Sequence, residues 1–479
     1  MSNFAIPTGN RLKTFVFYAA ALAATVVIFL FVRQRGEALA GPASAAAGPK
    51  GTAVPLSGEV LTHVLLALLA IIVVTRVVGV AFKYMHQPPV IGEIVGGIML
   101  GPSLLGRIAP EAYAYLLPAS VAPYLGILSQ VGVLLYMFLV GLELDIGALR
   151  TGSHASVAIS HASIIVPFTL GSALALWLYP IFPPEHVSFT AFALFLGVSM
   201  SVTAFPVLAR ILTDRRLQKT QMGMTALTCA AVDDATAWCL LALVVSVVSA
   251  KMGSALATFL LTLAYIAFIF VAVRPLMEWL ARRHGDNERV SQGVLTVVLC
   301  ALLFSGLMTE LIGIHAIFGA FLMGAVIPHH SRVAHDLIER LRDVVVVLLL
   351  PAFFAFTGMR TQVNLLNGFE NWLLCGIIIL VASAGKFGGS TIAARLVGLG
   401  WGEGAALGIL MNTRGLMELI VLNIGLDLKV ISPTLFAMLV VMALVTTFAT
   451  TPVLHLILRG GASVALPVDS HGSPARRAS

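Results

Sequence analysis

Fourteen apolar runs of about 20 residues follow one another along the chain, and no other feature narrows the possible folds so far. A hydrocarbon layer is crossed by about 20 helical residues, and within it every backbone donor and acceptor must be satisfied inside the segment, so runs of this length read as spanning helices. They lie at 15–33, 59–82, 88–106, 122–144, 155–179, 187–212, 221–249, 254–280, 291–310, 313–328, 343–359, 371–397, 404–426 and 432–458. Hydrophobic residues make up 59% of the 479 and charged ones only 11%, too little polar surface for a water-soluble globule. The expected fold is an all-α polytopic membrane protein with 13–14 transmembrane helices.

Orientation follows from the basic residues, because cytoplasmic loops are enriched in Lys and Arg. The start, the even-numbered connections and the end of the chain hold eighteen of them, against seven in the odd connections. Both ends are therefore expected on the cytoplasmic side if all fourteen runs span. The formal net charge of +7 has this topological origin; no basic run interleaved with aromatics points to nucleic acid.

Residues 1–57 divide into a hydrophobic segment, either an extra spanning helix or a signal peptide cleaved near Gly41, and an Ala/Gly/Pro linker expected to be flexible. Residues 58–458 form the transmembrane domain, and 459–479 a short cytoplasmic tail with no room for a regulatory domain. The four cysteines sit in separate apolar runs and read as small buried residues. His329-His330 reads as a solvated loop pair. No enzymatic chemistry and no cofactor are expected.

Short glycine-bearing strings recur at a constant shift of seven segments. Gly96-Gly-Ile-Met-Leu-Gly101 matches Gly319-Ala-Phe-Leu-Met-Gly324, Phe138-Leu-Val-Gly141 matches Ala355-Phe-Thr-Gly358, and Gly197 to Ala204 matches Gly408 to Gly415. Seven is odd, so matching helices cross in opposite directions, which is the inverted-repeat architecture of many secondary transporters. Both members of the third match carry polar residues and a helix breaker in mid-span: Ser201, Thr203 and Pro206 in one, Asn412 to Gly415 in the other. Two discontinuous helices that cross at the midplane are the expected result.

Asp233 and Asp234 lie near the middle of the seventh run, and Lys386 at a similar depth in the twelfth. Ionisable groups at bilayer depth are costly, and they mark ion or proton pathways by default. Adjacent helical residues point about 100° apart. One aspartate can thus pair with Lys386 while its neighbour faces an aqueous cavity and binds either a proton or a small cation; competition for one site couples two opposed fluxes. Glu93 and Glu310 are further candidates for the ion or proton path, and Arg414 and Glu418, four apart, for a helix-face pair that neutralises a half-helix end.

Residues 58–458 resemble the monovalent cation/proton antiporter-2 family of the sodium/hydrogen exchanger superfamily. The resemblance rests on Asp233-Asp234, Lys386, the breaks around Thr203 and Asn412, and Gly92-Glu-Ile-Val-Gly-Gly-Ile-Met-Leu-Gly-Pro102; Ser201 to Leu212 and Asn412 to Leu419 are similar to the cation/H+ exchanger branch. It implies that Asp234 binds the ion and proton, holding Na+ or K+ transiently, that Asp233 pairs with Lys386, and that Thr203 and Asn412 line the crossing. It further implies a homodimer in which a core bundle moves against a dimerisation domain. The long cytoplasmic tail usual in that branch is missing, so ligand gating through it is not expected. Exchange of Na+ or K+ for H+ across a bacterial-type cytoplasmic membrane is the leading reading; an organic-ion exchanger, a gated cation channel and a transporter-like sensor remain as alternatives.

Overall fold

A computed structural model describes residues 11–37, 58–143, 154–184, 187–217, 220–249, 255–283 and 290–459, and a helix lies over each of the fourteen apolar runs. The expectations for the linker beyond residue 37 and for the tail beyond residue 459 fall outside the described residues. The helices are α1 (Arg11–Gly36), α2 (Gly58–Tyr84), α3 (Pro89–Leu100), α4 (Ala122–Glu143), α5 (His154–Ile181), α6a (Phe189–Ser201) with α6b (Phe205–Asp214), and α7 (Gln221–Ser249). There follow α8 (255–283), α9 (Gln292–Ile312), α10 (Ala316–Ala325), α11 (332–360), α12 (369–396), α13a (Trp401–Met411) with α13b (Leu416–Asp427), and α14 (Pro433–Arg459). Among the described residues eleven helices are long and apolar enough to cross a membrane, or twelve if the bent α13 pair counts as one span.

Two runs differ from their expected extents for local reasons. α10 has 10 residues, about 15 Å of helix, where a 16-residue run was expected. Gly313, at φ +96°, ends α9 in the left-handed conformation that suits glycine, and Pro328 follows a turn at the other end. The flanking Ile314, Val326 and Ile327 are apolar without being helical. α11 starts earlier than its run, at Arg332, because Ser331 caps it by accepting the Ala334 N–H at 3.2 Å and its first turns are charged.

The repeat is visible in packing. α3 packs on α11, and α10 packs on α4, so each helix of one matched pair contacts the counterpart of the other. Glycines permit both contacts. A Cβ on Gly97 would lie 2.6 Å from the Ala355 Cα, and one on Gly358 would lie 2.6 Å from the Gly97 carbonyl carbon. Gly141 and Gly324 sit equally close to the backbones of Phe321 and Phe138. In the aligned strings Ile98 corresponds to Phe321, and the two contacts are the same contact made twice.

Two helix groups result. One contains α2, α3, α4, α9, α10 and α11; the other contains α5, α6, α7, α12, α13 and α14, with α1 laid against α5 and α6a. Three helices include a π-turn, a local widening that shifts the hydrogen-bond register. Those at Ile269–Val273 and Val345–Leu349 precede Pro275 and Pro351, whose rings oppose the normal α turn. The third, Ala384–Gly388, has no proline and carries Lys386.

Candidate ion-binding site at the helix crossing

α6 and α13 break where their sequences stop supporting a helix. Pro206 lacks the N–H that would continue α6a, yet it fits the first turn of α6b. Asn412 to Gly415 interrupt α13, whose halves are bent by 44°. The two breaks meet: the Ala204 N–H donates to the Thr413 carbonyl at 3.0 Å, and Thr203 Oγ1 lies 3.3 Å from the Met411 carbonyl. Backbone left unpaired by the breaks is satisfied inside the protein, as bilayer depth requires.

α7 sets its aspartates against this crossing. Asp233 is fully enclosed, and its carboxylate accepts hydrogen bonds from Ser160 Oγ at 2.5 Å, Ser163 Oγ at 2.5 Å, Thr203 Oγ1 at 2.7 Å and Lys386 Nζ at 3.2 Å. Lys386 Nζ also donates to the Ser163 carbonyl at 3.1 Å and to the Ser201 carbonyl, so its three protons are all used. A buried ion pair repays its desolvation only when the remaining hydrogen-bonding sites are filled, and here they are. Gly385 makes this possible, since a Cβ there would lie 2.9 Å from the Cα of Pro167 on α5.

Asp234, one residue along, is 5% exposed, and neither of its oxygens completes a hydrogen bond with a described group. The backbone of Phe205, the first residue of α6b, faces it, and a helix N-terminus favours negative charge. Asn412 Oδ1 and Thr413 Oγ1 are likewise buried without partners at the break in α13. Unfilled oxygens around a buried carboxylate are the chemistry of a site for a hard monovalent cation or a proton.

Arg414 and Glu418 form a second buried pair at 2.7 Å. Arg414 also donates to the Ser199 carbonyl at 3.0 Å and the Met200 carbonyl at 2.8 Å. With Lys386 on Ser201, two cations hold the last three carbonyls of α6a, the negative end of that half-helix. Thr447 on α14 fixes Arg414 by accepting its N–H at 2.9 Å and donating to its carbonyl at 2.7 Å.

Sequence reasoning missed Ser160 and Ser163. Their three-residue spacing puts both on one face of α5, which was the available signal. Ser201 contributes its carbonyl to Lys386, while its hydroxyl turns back to the Gly197 carbonyl at 2.7 Å. Glu93 and Glu310 are not joined to this cluster. Glu93 lines a 170 Å³ cavity with Tyr136, Pro206 and Arg210. Glu310 lines a 750 Å³ cavity with Gln130, His315, Arg360 and Asp427, and accepts the Ala316 N–H at 2.9 Å.

Several known proteins are similar to this chain in sequence. NhaS4, a Na(+)/H(+) antiporter of Synechocystis, is 45% identical over 397 residues, 82% of this chain and 97% of that protein. Cation/H(+) antiporter 20 of Arabidopsis thaliana is 42% identical over 404 residues, and K(+)/H(+) antiporter 1 of Saccharomyces cerevisiae 36% over 411. These matches take in 81% and 84% of this chain but 48% and 47% of the relatives, so the chain spans about half the length of the plant and yeast proteins. Among solved structures, the sodium proton antiporter MjNhaP1 from Methanocaldococcus jannaschii superposes with a TM-score of 0.49 at 13% identity, over 83% of this chain and 96% of that one. The model of the transmembrane sodium/hydrogen exchanger family matches residues 57–460, and the chain belongs to that family.

Proposed function

We propose that the protein exchanges a monovalent cation, Na+ or K+, for H+ across a membrane by alternating access, with cation and proton competing for Asp234. The observation that carries this reading is the contrast between the adjacent aspartates: Asp233 is saturated by three hydroxyls and an ammonium, while neither oxygen of Asp234 completes a hydrogen bond with a described group. A lone buried carboxylate must take up a positive charge or a proton. Asn412 and Thr413 are read as further ligands, and Arg414–Glu418 as a fixed electrostatic support for α6a. The relatives, named for Na+/H+, K+/H+ and cation/H+ exchange, support the same reading.

The group holding α5 to α7 and α12 to α14 is the moving core in this reading, and the other group the scaffold. Leu61, Leu65, Leu69, Val73 and Val77 form one exposed apolar stripe on scaffold helix α2, which suits a homodimer contact within the bilayer. The bias of Lys and Arg supports a cytoplasmic C-terminus in a multi-pass inner membrane protein.

The test uses proteoliposomes with an acid interior and a fluorescent pH probe, to which Na+, K+, Li+ or choline is added outside. Wild type dissipates the gradient with Na+ or K+, and Asp234→Asn falls to the level of empty vesicles. Equal activity in the variant, or no response to any cation in wild type, removes the proposed mechanism.

A further inference from the structure

The 750 Å³ cavity lies between the two helix groups and stops short of the crossing. A small pocket of 30 Å³ continues beneath it, lined by Val133, Phe353 and Ile420 among others, and the two share Gln130, His315, Phe356, Arg360, Ile424 and Asp427. Across this shared layer runs a set of polar bonds between α11 and α13b. Arg360 is paired with Asp427. It also donates to Asn423 Oδ1 at 3.1 Å, and Asn423 Nδ2 donates to Thr357 Oγ1 at 2.8 Å. The guanidinium lies 5.3 Å from the centre of the Phe356 ring, which holds it across the floor of the cavity.

We propose that this clasp, Arg360 and Thr357 on α11 with Asn423 and Asp427 on α13b, is the gate between the wide cavity and the ion site. The inference rests on the exchange reading above. Arg360 and Asp427 are partly solvated and Thr357 is fully buried, so the clasp combines a labile outer ion pair with an inner hydrogen bond that water does not reach. An ion pair open to water contributes little to stability and is weak enough to open in each cycle, and in the closed form the paired side chains stand across the path of an approaching cation. Release of Asp427 and Asn423 from Arg360 breaks the bonds that bar the floor and lets the core slide past α11. Arg360 is thus a positioning residue, acting on when Asp234 can be reached rather than on the bound ion.

Two measurements test it, in protein whose four native cysteines are replaced by alanine. In the first, Ile420→Cys reports the small pocket through labelling by a membrane-impermeant thiol reagent. Labelling is slow in an otherwise intact clasp and at least several-fold faster when Arg360→Ala is added; equal rates overturn the proposal. In the second, Thr357→Cys and Asn423→Cys are bridged by a short bifunctional thiol reagent, which abolishes exchange, and reduction restores it. Unchanged exchange after complete bridging overturns the gate. Labelling at Ile420→Cys needs no transport, so a wild type that moves no cation sinks the exchange reading while the labelling comparison still judges the clasp.

Discussion

A carboxylate taken out of water loses several kcal/mol unless hydrogen bonds and a counter-charge replace its hydration, and the environments of Asp233 and Asp234 differ in this respect alone. For Asp233 the replacement is complete, and each contributor has a measurable share. Ser163→Ala removes one hydrogen bond to a charged acceptor and should destabilise the protein by about 1–3 kcal/mol, seen as a lower thermal midpoint in detergent, with the order of cation preference retained. Asp233→Ala should cost more, about 3–5 kcal/mol, because it strands Lys386 as an unpaired buried charge. A midpoint for Ser163→Ala equal to wild type would show that the hydroxyl does not support the pair. The pairing of Lys386 with an aspartate was legible in the sequence, since charges at bilayer depth are few and must meet. The serines were hardly legible: their spacing puts both on one face of α5, but hydroxyls are common in membrane helices and spacing alone does not separate them from those bonded only to their own helix, such as Ser199.

The π-turn of α12 contains no proline, and the glycines in it carry unequal weight. Gly385 touches Pro167 so closely that a methyl group has no room, whereas a Cβ on Gly388 would meet nothing within 4 Å. Gly385→Ala should push α12 from α5, pull Lys386 off Asp233 and lower both the thermal midpoint and the exchange rate. Gly388→Ala should be neutral or stabilising by up to about 1 kcal/mol, through helix propensity alone. Equal stability and activity in the two variants would mean that the α5–α12 contact does not set the lysine. At this scale the sequence was legible wherever hydropathy and helicity coincide. It misled at α10, whose flanks are apolar but not helical, and at the start of α11, which is helical but charged.

The proposed competition of cation and proton for Asp234 would give the whole molecule a pH dependence of definite sign. As pH falls the proton occupies Asp234 more often, so the apparent KM for the cation rises, approaching about tenfold per pH unit where the proton dominates, with little change in the maximal rate. Exchange measured against cation concentration at several pH values checks this; a constant KM with a falling maximal rate would point to a separate regulatory proton. The inverted repeat was visible in three short strings because both members of a match carry glycine where two backbones touch, at Gly141 and Gly358 and at Gly101 and Gly324. The cavities and the clasp were not visible, since Arg360 and Asp427, 67 residues apart in the chain, are brought together only by the packing of α11 on α13b. The narrow cavity is walled by the α2–α3 junction, α4, α6b and α11. The wide one is walled by the α9–α10 junction, α11, α13b and α4, the counterparts of those elements under the seven-helix shift. Under the proposed alternating access, two mouths built from matching parts forecast the molecule's other shape: with each repeat in the posture now held by its twin, the 170 Å³ recess beside Glu93 would open while the chamber beside Glu310 would shut.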